Sequence, residues 1–232
     1  MDKTLKISRI ESIIQKGSFG KGKYYGYKKY KVISLVKIST NKKIHGIGES
    51  LVGVYSPRLF SINLKFILKL LINKNIKQSL DILKNLQKNK FFFDAGVLKS
   101  IIASIEIGLF DIMAQSNNQT LSDCFSEFFN EKIIEKKVPV YASAGSILGS
   151  TNDLRNEVSF AKKKGFNIFK ARISLTNLNY KKKLNFLKNN INHFSIDLIS
   201  NTYQKNSNLS LVKKFISNLK TFKPLWIEEI LS

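Results

Sequence analysis

The sequence predicts an α+β domain followed by a partial (β/α) TIM-type barrel with about four parallel strands. Three observations lead there. Residues 1–137 open with two apolar, strand-like runs and continue as helical stretches with apolar residues at three- and four-residue steps. From Val138 to Ser232, short apolar runs alternate with helical stretches over short links, as parallel βα units do. The polar residues of that second part collect at the C-terminal ends of its strands, where parallel barrels place their active sites. The predicted domains are 1–137 and 138–232.

In the first domain, Leu5 to Ile14 and Tyr30 to Thr40 read as strands, with Val32, Leu35, Val36 and Ile38 supplying apolar content. Between them, Lys16 to Gly22 is a glycine-rich loop. Its spacing fits neither a P-loop nor a dinucleotide fingerprint, so it reads as a hairpin loop. Gly46-Ile47-Gly48-Glu49 closes the strand region. Ser61 is the expected N-cap of a helix carrying Phe66, Ile67, Leu70 and Leu71. A second helix carries Ile76, Leu80, Leu83 and Leu86. A third, Ala95 to Gln115, carries Val97, Ile101, Ile105, Leu109 and Ile112, with Asp94 as its expected cap.

The second domain predicts strands at Val138–Ala142, Phe166–Ile173, Phe194–Leu198 and Leu225–Glu229. Helices fall between them at Asp153–Lys164, closed by Gly165, at Tyr180–Asn190 and at Leu209–Lys220. The strands are mostly apolar, as a sheet buried on both faces requires.

Composition narrows the function classes. With 43% hydrophobic and 24% charged residues, the 232-residue chain is ordinary for a folded protein. The net charge of +23 comes almost wholly from lysines scattered along the chain. A nucleic-acid binder gathers its basic residues on one face beside stacking aromatics, and no such module or zinc spacing occurs. The charge therefore reads as a bias carried on solvated surfaces. The alternative is loose attraction to nucleic acid, an anionic membrane or an anionic substrate. One cysteine, Cys124, excludes an intrachain disulfide, and the expectation is a cytoplasmic protein. Leu64 to Ile72 is too short, and too broken by Lys65 and Lys69, to span a membrane.

Lys170 and Arg172 are two apart on a strand and so point to one side. Asp197 ends the next strand, and Glu228 with Glu229 the one after. Asp197 and Glu228 are hard oxygen donors suited to Mg2+. A lysine beside a second cation is expected to have a lowered pKa and to handle protons. The bland reading of the same residues is that the acids cap loops or pair with lysines.

These residues also resemble a family pattern. Val36 to Glu49, ending Gly-Ile-Gly-Glu, and Ala103 to Ile112 with Asp111, look like the capping domain of the mandelate racemase and muconate-lactonizing branch of the enolase superfamily. Val138 to Ser143 is similar to its first barrel strand, and Lys170-Ala171-Arg172 to its Lys-x-Lys or Lys-x-Arg motif. Asp197 and Trp226-Ile227-Glu228-Glu229 resemble its first two metal-ligand strands. The resemblance implies Mg2+-assisted removal of a proton alpha to the carboxylate of a small carboxylate or acid-sugar substrate. It makes Asp197 and Glu228 metal ligands, Lys170 and Arg172 the catalytic pair, and Asn201, after a local insertion, a substrate-binding residue. Arginine stays protonated, so Arg172 in a base position favours an acid-sugar dehydratase over a racemase or cycloisomerase. Full-length relatives are expected to be homo-oligomers.

The pattern has departures. Leu198-Ile199 follows Asp197, and Ile230 stands where the family has proline. A closed eight-unit barrel takes ~250 residues, so the resemblance implies a truncated or split piece, with a second polypeptide completing the barrel. His45, in the capping region, and His193, before its strand, do not replace the histidine that relatives use as base. The expected partners include no specific nucleic acid and no membrane. The alternative is an inactive remnant or a non-catalytic basic binding protein, which tight, salt-dependent binding to nucleic acid would support.

Overall fold

A computed structural model describes residues 2–18, 30–88, 96–132, 137–145, 149–174, 179–198 and 209–229. They fall into two compact units, one ending at Lys132 and the other beginning at Lys137.

The first unit is built on an antiparallel sheet ordered β1 (Ile7–Ser18), β2 (Tyr30–Thr40), β3 (His45–Glu49). Val32, Ser34, Val36, Ile38 and Thr40 alternate as buried residues along β2, the period of two that fixes which face meets the core. Gly46 to Glu49, expected only to close the strand region, belongs to the third strand. Among the described residues the helices that follow are α1 (Val52–Tyr55), α2 (Pro57–Leu71), α3 (Ile76–Gln87), α4 (Gly96–Ser116) and α5 (Leu121–Phe129). Helix α2 starts four residues before the expected Ser61 cap, because Pro57 carries the preset φ of a first helical turn. Helix α5 was not expected. It is capped by Thr120, whose hydroxyl accepts from the Asp123 amide. Asp94 lies outside the described residues. One core joins Phe60, Leu64, Ile67 and Leu71 of α2 to Leu83 of α3 and to Ile101, Ile105, Leu109 and Ile112 of α4.

The Gly-Ile-Gly-Glu motif has a steric reason. A Cβ on Gly46 would sit 1.9 Å from the Gly108 carbonyl oxygen, and one on Gly48 would sit 1.8 Å from that of Ser104. Only hydrogen fits between β3 and α4. The same helix serves the edge of the sheet, since Asp111 Oδ2 accepts from the Ile47 amide at 3.0 Å and Gln115 Nε2 donates to the His45 carbonyl at 2.8 Å.

The second unit is a parallel sheet ordered β4 (Ala142–Ala144), β5 (Ile168–Arg172), β6 (His193–Asp197), β7 (Ile227–Glu228). Helices α6 (Thr151–Lys163), α7 (Tyr180–Asn190) and α8 (Leu209–Leu219) alternate with its strands. The first strand begins at Ala142, later than the expected Val138. Helix α6 opens with a capping box in which Ser150 and Asp153 satisfy each other's backbone amides, and Gly165 at φ 84° ends it.

The core of this unit lies on one side of the sheet. Phe169, Ala171, Ile173, Phe194, Ile196 and Leu198 pack against Leu154 and Val158 of α6, Leu184 and Leu187 of α7, and Leu219 of α8. The expectation of a sheet apolar on both faces is corrected here: the alternate positions Ser143, Lys170, Arg172, Ser195, Asp197 and Glu228 form a polar face. No described helix is long and apolar enough to cross a membrane.

Candidate active site

Parallel register assembles the polar face. Lys170 lies beside Ser195 and Arg172 beside Asp197, while Asp197 lies beside Glu228. Paired residues of a parallel sheet project to the same side, so three strands bring two cations and two carboxylates to one patch at their C-terminal ends. Lys170 Nζ donates to Glu228 Oε2 at 2.7 Å and stands 3.9 Å from Asp197 Oδ2. Arg172 Nε is 3.8 Å from the same Asp197 oxygen. The Asp197 side chain is 9% exposed and that of Lys170 12%, against 33% for Glu228, so water screens this cluster poorly at its base and better at its rim.

Two aromatic residues complete the patch. Trp226, two before Glu228 and on its side of the strand, donates from Nε1 to Glu228 Oε1 at 2.8 Å. Its ring meets Tyr141 edge-on with centroids 5.2 Å apart, and Lys170 Nζ lies 5.4 Å from the Tyr141 centroid. Glu229 takes φ 55°, turning the chain directly after Glu228. On the far side of β5, Gly145 carries φ 91°. Its amide donates to Glu157 Oε2 at 2.6 Å, and a Cβ there would come within 3.0 Å of the Arg172 amide.

The electrostatics reverse one expectation. Burial disfavours the Lys170 ammonium, but the hydrogen bond to Glu228 and the pull of Glu228, Tyr141 and Asp197 outweigh it, and the pKa is raised. The direction is opposite to the one expected from the neighbouring Arg172, because Glu228 is in direct contact with the ammonium. Glu228 is lowered by the hydrogen bonds from Lys170 and Trp226, against its own desolvation. Both members of the pair are charged at neutral pH.

Of the sequence candidates, Lys170, Arg172, Asp197 and Glu228 come together; Asn201 lies outside the described residues. His193 begins β6, at the opposite end of the strand from Asp197, and His45 begins β3 in the first unit, with Nδ1 3.1 Å from Ser39 Oγ. Sequence reasoning gave no role to Tyr141, Ser195, Trp226 or Glu157. Spacing signalled two of them, since Ser195 and Trp226 each stand two residues before a candidate acid.

The donor set suits Mg2+. That ion takes oxygen ligands and is commonly held by one or two carboxylates, with water and substrate supplying the rest. Asp197 and Glu228 stand side by side in register. Among the described residues no group of three or more His, Cys, Asp or Glu is placed to hold a metal.

Solved structures share this architecture. The chain is similar to L-talarate/galactarate dehydratase from Salmonella typhimurium LT2, with a TM-score of 0.79 at 15% identity, covering 99% of this chain and 59% of that one. It is similar to the 3,6-anhydro-D-galactonate cycloisomerase from Zobellia galactanivorans, with a TM-score of 0.76 at 19% identity over 98% and 59% of the two chains. An enolase from Bradyrhizobium, complexed with magnesium and mandelic acid, gives 0.76 at 14% over 100% and 63%. The chain shares the fold of these solved structures. The likeness at this identity is one of fold: an antiparallel capping sheet with helices, then part of the parallel barrel. The chain spans about three-fifths of the length of these structures. No family model and no curated protein sequence matches it.

Proposed function

We propose that the polar face of the second unit takes part in Mg2+-dependent proton abstraction alpha to the carboxylate of a small acid, with an acid sugar undergoing dehydration as the preferred substrate. The observation that carries this reading is the convergence of Lys170, Arg172, Asp197 and Glu228 on one patch at the C-terminal ends of three parallel strands. In this reading residues 1–137 are the cap and 138–232 the barrel portion.

Asp197 and Glu228 hold the metal. When bound, Mg2+ supplies positive charge that makes the alpha proton of a carboxylate more acidic. Arg172 presents a planar fork of donors matched to a carboxylate and so fixes the substrate carboxylate rather than removing a proton. Lys170 holds its proton at Nζ while Glu228 faces it, which makes it a hydrogen-bond donor and acid in this state. It becomes a base only when Glu228 is engaged elsewhere. The choice of dehydration follows from Arg172, which cannot serve as the second base of a racemase. Neither β4 nor β7 is paired on its outer side among the described residues, and we include in the proposal a second polypeptide whose strands close the sheet.

The test is alpha-proton exchange. The chain, alone and with barrel-completing polypeptides, is incubated in D2O with MgCl2 and a panel of acid sugars and 2-hydroxy acids, and deuterium uptake is followed by 1H NMR. The expected result is exchange with at least one acid, reduced at least ~100-fold by Lys170→Met. Exchange that survives this substitution unchanged removes Lys170 from the chemistry, and none in any combination removes the reaction.

A further inference from the structure

The cation nearest to the two metal-ligating carboxylates is one of the chain's own side chains. Lys170 Nζ stands 2.7 Å from Glu228 Oε2 and 3.9 Å from Asp197 Oδ2, against the same pair of carboxylates that a divalent ion would share. Arg172 Nε stands 3.8 Å from that same Asp197 oxygen. Two cations balance two carboxylates, so the patch is neutralised from within, and an incoming ion meets carboxylates that already hold an ammonium.

One further group on this face is unusual. Ser195 is fully buried, and its Oγ is the buried side-chain polar atom found without a hydrogen-bond partner among the described residues. A buried hydroxyl without a partner is costly, and such atoms call for an explanation. Ser195 is the register partner of Lys170 on the adjacent strand, so both side chains project to the same side of the sheet. A lysine stem is long and flexible enough to turn its ammonium from one acceptor to another.

We propose that Lys170 is a built-in competitor for the divalent ion: its ammonium occupies the Asp197–Glu228 pair in the metal-free state and moves to the Ser195 hydroxyl when the ion binds. The inference rests on the functional reading above, in that Asp197 and Glu228 are taken as the ligands. It adds that metal affinity is held down by the chain itself, and that metal binding is the event that releases Lys170 from Glu228. A substrate-ready lysine then exists only in the metal-loaded protein.

The sign of the effect is opposite to that of an ordinary site residue, and the full chain tests it with Mn2+ as probe. Free Mn2+ is measured by electron paramagnetic resonance during titration of the wild type and of K170M, K170Q, K170R and D197N, each checked for folding by circular dichroism. K170M tightens Mn2+ binding about tenfold, the scale expected for removing a unit charge a few ångströms from a partly buried carboxylate. K170Q does the same should K170M fail to fold, K170R stays close to wild type, and D197N abolishes binding. S195A weakens binding about threefold in the wild-type background and has no effect beside K170M, the non-additivity expected of coupled residues. Binding that is unchanged or weaker in both K170M and K170Q, with D197N still abolishing it, overturns the competition but leaves the ligand assignment standing. Equal effects of S195A in both backgrounds overturn the role of Ser195. Absence of Mn2+ binding in every variant overturns the ligand assignment, and the competition with it.

Discussion

The two units use their sheets in opposite ways. In the first, the side chains with chemical potential are occupied in finishing the backbone. Asp111 and Gln115 satisfy the edge of β3, and Asp2 is held by Thr4 and Lys42 at the surface. In the second, the helices cover one face of the sheet, and Lys170, Arg172, Asp197 and Glu228 answer one another across the strands of the opposite face. Both units are stabilised by apolar packing of similar character. The difference lies in strand direction: parallel strands put their C-terminal ends together, so one polar residue per strand suffices to build a cluster, whereas antiparallel strands disperse theirs.

Three measurements break or sharpen this contrast. The largest effect belongs to the first unit. Gly48→Ala places a methyl group against the Ser104 backbone and should cost about 3 kcal/mol or more in urea unfolding, since neither β3 nor α4 can yield. Gly165→Ala in the second unit meets no atom within 4 Å and pays only for its φ of 84°, about 1 kcal/mol. Equal losses for the two would show that the approach of β3 to α4 is looser than described.

The next effect is specific to the second unit and has a pH signature. Glu228 is lowered in the folded state, so its contribution is complete above the ordinary glutamate value of 4.5 and is lost as pH falls through the lower folded value. Lys170 is raised, so its contribution is present below 10.5 and is lost as pH rises through the higher folded value. The only tryptophan, Trp226, is bonded to Glu228, and its fluorescence reports on this unit. Glu228→Gln should flatten the acid slope of stability, removing about 1 kcal/mol of the loss on acidification, a figure reduced for the exposure of the Glu228 carboxylate. An unchanged slope would assign the acid sensitivity to other carboxylates.

The smallest effect is one the two units share. Asn75 caps α3 and Ser150 caps α6 through equivalent capping boxes. Asn75→Ala and Ser150→Ala should each cost about 1 kcal/mol, read by hydrogen exchange in α3 and α6 respectively. A loss confined to one helix would mean that its counterpart is held by packing alone.

Much of this was legible beforehand. The βα alternation after Val138 placed α7 at Tyr180–Asn190, and period-two spacing put Lys170 and Arg172 on one side of their strand. Local signals failed where a long-range contact decided the outcome. Gly46 to Glu49 is too short and too glycine-rich to announce a strand, yet it pairs with β2 and slides under α4. Helix α5 presents Phe125, Phe128 and Phe129 to Phe110 of α4, a contact that no window within α5 contains. The raised pKa of Lys170 was missed because in sequence its near neighbour is Arg172, whereas in space it is Glu228, 58 residues away.

Sequence alone determined the identity and order of the elements of the second unit, and in the first unit those of β1, β2, α2, α3 and α4. It also determined the residue types at the strand ends and the side of the strand on which they lie. Each of these depends on spacing within a few residues along the chain. The tertiary structure decided which of those residues touch. The Lys170–Glu228 bond, the proximity of Asp197 to both cations and the place of the Ser195 hydroxyl, unpartnered among the described residues, beside Lys170 all arise from register between separate strands. Register is set by packing of the opposite, apolar face against the helices, and that packing is a property of the folded sheet as a whole.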